Sequence, residues 1–167
     1  MKKKKFLTVF AVFDDNTQNL LESLQKDIFD LGYEGTQTMG IPFHISLGSF
    51  PVECEEDLKI RIKEACRNNK QFDIELYRVN HFGNTVLFIE PEVNEGLLNL
   101  HNLFDNNYAN DFPWTPHATM FCGDNNQVVE AKNLLLENFK PITAKVVGIQ
   151  MGEFFPTKMI IEEDLIK

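Results

Sequence analysis

Apolar residues recur along this chain at two spacings, and each switch of spacing marks an element. Residues 6–13 form an unbroken apolar run closed by Asp14 and Asp15, the pattern of a buried strand. Either acid can cap the helix that follows. There Leu20, Leu21, Leu24, Ile28 and Leu31 fall on a helical stripe and Gly32 supplies the stop. After Pro42, residues 43–47 read as a second strand. Pro51 and the acids Glu53, Glu55, Glu56 and Asp57 open a second helix, where negative charge suits the positive end of the dipole. Leu58, Ile62, Ala65 and Cys66 line its inner face. Phe72, Ile74 and Leu76 alternate as a strand, and residues 86–89 are a short buried one. Val93, Leu97, Leu100 and Phe104 mark a third helix, residues 115–121 another strand, and Val128, Ala131, Leu135 and Phe139 a fourth helix. Ile142, Ala144 and Val146 alternate in a further strand, and residues 159–161 form the last.

One order of elements occurs twice: strand, helix, strand, helix, strand, strand. Phe13 to His44 spans 31 residues and Ile89 to His117 spans 28, so the two copies run nearly in step. An internal repeat of this size predicts a pseudo-two-fold molecule formed by residues 1–167 as one bilobal domain. The third element of each copy carries a matching motif, His44-Ile45-Ser46-Leu47 at 44–47 and His117-Ala118-Thr119-Met120 at 117–120. Strand side chains alternate with period two, so each histidine shares a face with the hydroxyl two residues on, while Ile45 and Ala118 point into the core. A two-fold axis between the motif strands would bring two imidazoles and two hydroxyls to one cleft. That set offers a proton acceptor, a proton donor and two neutral donors for phosphate oxygens.

These motifs resemble those of the 2H phosphoesterases, and within them the 2′-5′ RNA ligase-like group that includes 2′,3′-cyclic phosphodiesterases. Two copies of His-x-Ser/Thr-x with apolar x, each preceded by a turn residue, carry the resemblance, and the element order extends it over nearly the whole chain. It implies an α+β bilobal fold with an antiparallel sheet in each lobe, helices outside and the active site in the cleft between. It also implies metal-independent chemistry without a cofactor on a 2′,3′-cyclic or 2′-5′ phosphodiester. His44 and His117 would transfer protons, and Ser46 and Thr119 would hold the phosphate. By position in the second motif, His117 would be the base, and a cyclic phosphate would open to a 2′-phosphate. Histidine suits both roles because its ordinary pKa, near 6.5, lets both forms exist around neutrality. The same site could run in reverse as a 2′-5′ RNA ligase, or bind a nucleotide without chemistry.

Composition narrows the substrate. The net charge of −9 opposes broad affinity for polyanions such as DNA, and no arginine flanks either motif, which favours a small nucleotide or an RNA terminus. Trp114, in a loop-like Pro113-Trp114-Thr115-Pro116 stretch, is the leading candidate to stack on a base, with Phe43 and Tyr33 behind it. His101 reads as a helix-packing or surface residue, and His81 as part of a hairpin turn or, second to that, of a cleft edge. Lys158 reads as a solvated lysine. Four histidines without a ligand-like pairing give no metal site. Three cysteines with no CxxC spacing fit a reducing compartment. Lys2 to Lys5 ahead of the first apolar run mimic a secretory leader, but the acids at 14 and 15 and the absence of a small-residue cleavage pattern favour a lysine lead into a buried strand. A cytoplasmic monomer that does not engage a membrane is expected.

Overall fold

The computed structural model describes residues 4–167. Strand β1 (Phe6–Phe13) is followed by helix α1 (Asp15–Phe29), β2 (His44–Pro51), α2 (Glu55–Asn68), β3 (Phe72–Phe82), β4 (Val86–Pro91), α3 (Glu95–Leu103), β5 (Ala118–Cys122), α4 (Asn125–Asn138), β6 (Ile142–Phe154) and β7 (Lys158–Asp164). Every element expected from the periodicity is present. Asp14 caps α1 by accepting from the Thr17 amide, and Asp124 caps α4 within a reciprocal capping box with Gln127. Gly32, at φ 99°, turns the chain beyond α1 in the left-handed region. Lys2 and Lys3 of the lysine lead lie outside the described residues; Lys4 and Lys5 are exposed. Among the described residues no helix is long and apolar enough to cross a membrane.

The strands are all antiparallel and run in the order β2-β1-β6-β3-β4-β5, with β7 also on β6. Two sets of strands are visible within this order. One contains β2, β1, the second half of β6 and β7. The other contains β5, β4 and the second half of β3. They meet where Phe72–Leu76 of β3 pairs with Ile142–Val146 of β6. Each of these strands therefore starts at the seam, and β3 continues onto β4 while β6 continues onto β1. The bilobal arrangement holds, with the refinement that the two lobes' strands are hydrogen-bonded into one continuous sheet of seven strands. Local periodicity could not show this, because the seam joins residues about seventy positions apart.

Alternation along β1 explains the layering. Leu7, Val9, Ala11 and Phe13 join the main core together with apolar residues of all four helices. On the opposite face Phe10 and Val12 form a second cluster with Phe154. The motif strands obey the same rule: Ile45, Leu47, Ala118 and Met120 are fully buried in the main core. Burying a side chain the size of Ile45 or Leu47 contributes about 1.5–3 kcal/mol, so the register of both motif strands is strongly held.

Strand β2 lies at the sheet edge, where unpaired backbone groups need a cover. Residues 104–117 supply it. Ser49 N donates to the Asn106 carbonyl at 2.9 Å, Tyr108 N returns a bond to the Ser49 carbonyl, and Ala109 N donates to Ser49 Oγ at 2.8 Å. Gly48 permits this approach: a Cβ built there would lie 1.8 Å from the Phe104 carbonyl oxygen. Backbone cannot retreat as a flexible side chain could. A Gly48→Ala variant is therefore expected to lose about 1–3 kcal/mol in chemical denaturation and to loosen the 104–117 segment to proteolysis.

Candidate active site

Both histidines stand at the mouths of their strands. His44 is the first residue of β2. His117 immediately precedes β5, which starts at Ala118 and not at Thr115 as the apolar pattern had suggested. Pro116 lacks the N–H that a longer strand would use. Each imidazole is held the same way. Nδ1 of His44 donates to the Pro42 carbonyl at 2.8 Å, and Nδ1 of His117 donates to the Thr115 carbonyl at 2.8 Å. A carbonyl can only accept, so in the neutral ring the proton sits on Nδ1 and Nε2 remains the basic nitrogen.

Beneath each ring lies a phenylalanine from the neighbouring strand. Phe10 of β1 is 4.4 Å from His44, and Phe88 of β4 is 5.3 Å from His117, measured between ring centroids. The same phenylalanines are register partners of the hydroxyl residues, Phe10 of Ser46 and Phe88 of Thr119. The two halves thus build the same local unit. His44, Ser46, His117 and Thr119 all line one cavity of about 1540 Å³.

Burial in these aromatic beds lowers both imidazole pKa values. His44 is pushed down to about 4, by desolvation first and by the nearby His117 charge, against the opposing effect of its Pro42 bond. His117 is also lowered by desolvation, against its Thr115 bond. Both rings line the same cavity.

Helix α1 ties both motifs together. The Gln18 side chain clamps Phe43, the residue before His44, accepting from its N–H at 2.9 Å and donating to its carbonyl at 2.8 Å. Seven residues on, Gln25 Nε2 donates to the Met120 carbonyl at 2.8 Å, at the end of the second motif. Neither glutamine emerged from the sequence. The signal was their spacing of two helical turns on a partly buried face, but their partners are distant backbone groups that no local pattern reveals.

The other sequence candidates divide. Trp114 lines the cavity, but one face stacks on His101 at 3.7 Å and 4°, and its Nε1 donates to the Ser46 carbonyl at 2.9 Å. Its observed contacts anchor the 104–117 segment to β2, with one ring face already occupied. His101 is buried and holds the Leu47 carbonyl through Nδ1, as a packing histidine should. Phe43 lines the cavity while packing on the core. Tyr33 does not reach the cavity: its hydroxyl bonds Glu130 on α4 and its ring packs near Phe121. The loop after α1 turns at Gly32 and Gly35 and carries Tyr33 toward α4 instead. His81 lines the cavity from the end of β3, paired with Leu87, and not from the turn expected for it; its ring bonds the Gly83 carbonyl of the turn that follows. Lys158 is exposed and does not line it. The exposed aromatic rings at the cavity are Phe82, Phe112 and Phe155, which the sequence reading passed over because they sit at hairpin tips and in a loop.

A model of the 2′-5′ RNA ligase superfamily matches residues 13–153. The chain belongs to this superfamily. The motif-based resemblance to 2H phosphoesterases therefore holds. Solved structures agree on the fold of this superfamily member. TT0787 of Thermus thermophilus aligns at TM-score 0.63 with 16% identity, covering 96% of this chain and 97% of that one. LigT of E. coli complexed with 3′-AMP aligns at TM-score 0.63 with 12% identity, covering 99% and 100%. The phosphate complex of LigT aligns at 0.60 with 12% identity and the same coverage. No curated protein matches the chain.

Two outcomes follow for the 2H site. Between pH 6.5 and about 4 the unfolded chain binds a proton at residue 44 that the native state refuses. Native stability therefore rises with pH across that window and is lost as the medium is acidified through it, by about 1.4 kcal/mol per pH unit at most. Denaturation midpoints measured from pH 7 to 4 should fall, and the fall should be shallower in His44→Gln. Replacing Gln25 by leucine should cost about 0.5–1.5 kcal/mol in denaturant titration, through the lost bond to the second motif.

Proposed function

We propose that this superfamily member is a metal-independent phosphodiesterase that hydrolyses 2′,3′-cyclic or 2′-5′-linked phosphodiesters of small nucleotides or RNA termini. One observation carries the reading: two imidazoles, each with Nδ1 tied to the carbonyl two residues back, face one cavity with a hydroxyl two residues on. The LigT complexes with 3′-AMP and with phosphate supply a precedent for nucleotide and anion binding in this fold.

In the proposed reaction one neutral imidazole takes a proton from water through Nε2 as the oxygen attacks phosphorus. The P–O bond to the ribose breaks, and the second, protonated imidazole gives its proton to the departing oxygen. Ser46 and Thr119 donate to the nonbridging oxygens as charge builds there. In the singly protonated site the proton sits on the imidazole that accepts it more readily, and the other ring is left neutral to act as base. His44 is the more strongly depressed of the two and is lowered further by charge on His117. We therefore assign His44 as base and His117 as acid, the reverse of what motif position implied. The proton needed for catalysis resides on His117 in the singly protonated site.

Alanine at either position should lower kcat on a 2′,3′-cyclic nucleotide by about 10²–10⁴. The assignment is read with a second substrate. A p-nitrophenyl phosphodiester has a leaving group that needs no acid, so His117→Ala should recover much of its rate on it, whereas His44→Ala should not. Full turnover of the cyclic nucleotide by either variant overturns the mechanism, and rescue of His44→Ala alone reverses the roles. The ligase reading is tested by incubating RNA halves bearing a cyclic phosphate and a 5′-hydroxyl; the same residues would serve, with the 5′-hydroxyl oxygen taking the place of water as nucleophile.

A further inference from the structure

The chain contains sixteen lysines and arginines, yet among the described residues none lines the cavity. Among the described residues positive charge there can come only from imidazoles: His44 and His117, which burial makes reluctant to carry it, and His81 and His101, each held through Nδ1 to a backbone carbonyl. Two of the three arginines are engaged elsewhere. Arg78 makes two bonds to Glu90, at 2.9 and 2.7 Å. Arg61 bonds the Leu103 carbonyl and packs on the rings of Phe50 and Phe104. Arg67 is exposed on α2 and does not line the cavity. The fixed charges that do line the cavity are negative, Glu22 on α1 and Asp105 after α3, the latter 3.6 Å from His101 Nε2. The rest of the wall offers amides, hydroxyls and the exposed rings of Phe82, Phe112 and Phe155.

These surroundings set a charge limit. A phosphodiester carries one negative charge at neutral pH, and a protonated imidazole with two hydroxyls can meet it. A terminal phosphomonoester adds about 1.5–2 further charges near pH 7. Here it would find no guanidinium or ammonium, two carboxylates and a protein of net charge −9.

We infer that the cavity selects phosphodiesters whose single charge is the scissile group, flanked by uncharged and preferably planar groups, and discriminates against the same diester bearing an added terminal phosphate. This inference rests on the diesterase reading and narrows its substrate to nucleosides without a 5′-phosphate. It also favours product release, because hydrolysis turns a tolerated monoanion into a more highly charged monoester that the walls repel.

The test compares kcat/KM for adenosine 2′,3′-cyclic phosphate with that for the same nucleotide carrying a 5′-phosphate, and with a 5′-sulfamoyl analogue of similar size and no charge. The 5′-phosphate should lower kcat/KM roughly tenfold or more, while the sulfamoyl group should change it little. Raising the ionic strength should narrow the gap. So should the double variant Glu22→Gln, Asp105→Asn. Equal kcat/KM for the first two substrates overturns the inference, as does an equal loss with the sulfamoyl analogue, which would make the effect steric. Turnover of none of the three overturns the diesterase reading instead. Charge selection is then read from binding, by comparing the thermal shift given by adenosine 3′-phosphate with that given by adenosine 3′,5′-bisphosphate. A larger shift with the monophosphate sustains the selectivity, and an equal or smaller one overturns it.

Discussion

The site depends on one short-range hydrogen bond made twice. An imidazole can rotate, flip and exchange tautomers, and any of these would scatter its basic nitrogen. The bond from Nδ1 to the carbonyl two residues back removes all three freedoms at once. Each histidine sits where its strand begins, with Pro42 or Pro116 close before it, so the carbonyl two residues back lies outside the strand's ladder and is free to accept. The phenylalanine under each ring completes the support from the adjacent strand.

Rigid local units would be of little use if the lobes carrying them drifted. Three restraints oppose that drift. The β3–β6 seam joins the strands of both lobes. Helix α1 reaches one motif through Gln18 and the other through Gln25. The 104–117 segment lies along β2, pins itself through Trp114 to the Ser46 carbonyl, and runs directly into His117. All three use backbone groups as partners, so they fix the path of the chain without engaging the side chains of His44, Ser46, His117 and Thr119.

This division explains what could be read from residue order. His44 and His117, with Ser46 and Thr119, were legible because their neighbours Ile45, Leu47, Ala118 and Met120 must be buried, and alternation then fixes which way the others point. The helices were legible from apolar stripes. What escaped were contacts between a side chain and a remote backbone atom, such as Gln25 with Met120, 95 residues apart. Loop trajectories escaped too. Trp114 and, behind it, Tyr33 read as flat surfaces for a base, but the turn at Gly32 takes Tyr33 to α4, and Trp114 covers a strand edge. Phe112 and Phe155 gave no signal because an exposed phenylalanine in a loop has no period.

The crossing of β3 and β6 at the seam has a consequence for assembly. The first half of the chain contributes β1 and β2 but relies on β6 and β7 from the second to finish that side, while β4 and β5 rely on β3. A nick in the hairpin at Gly83 would thus leave two fragments with raw edges that fit each other. Neither would be a miniature enzyme, and reunion of the pair, not folding of either piece, would regenerate a working cleft.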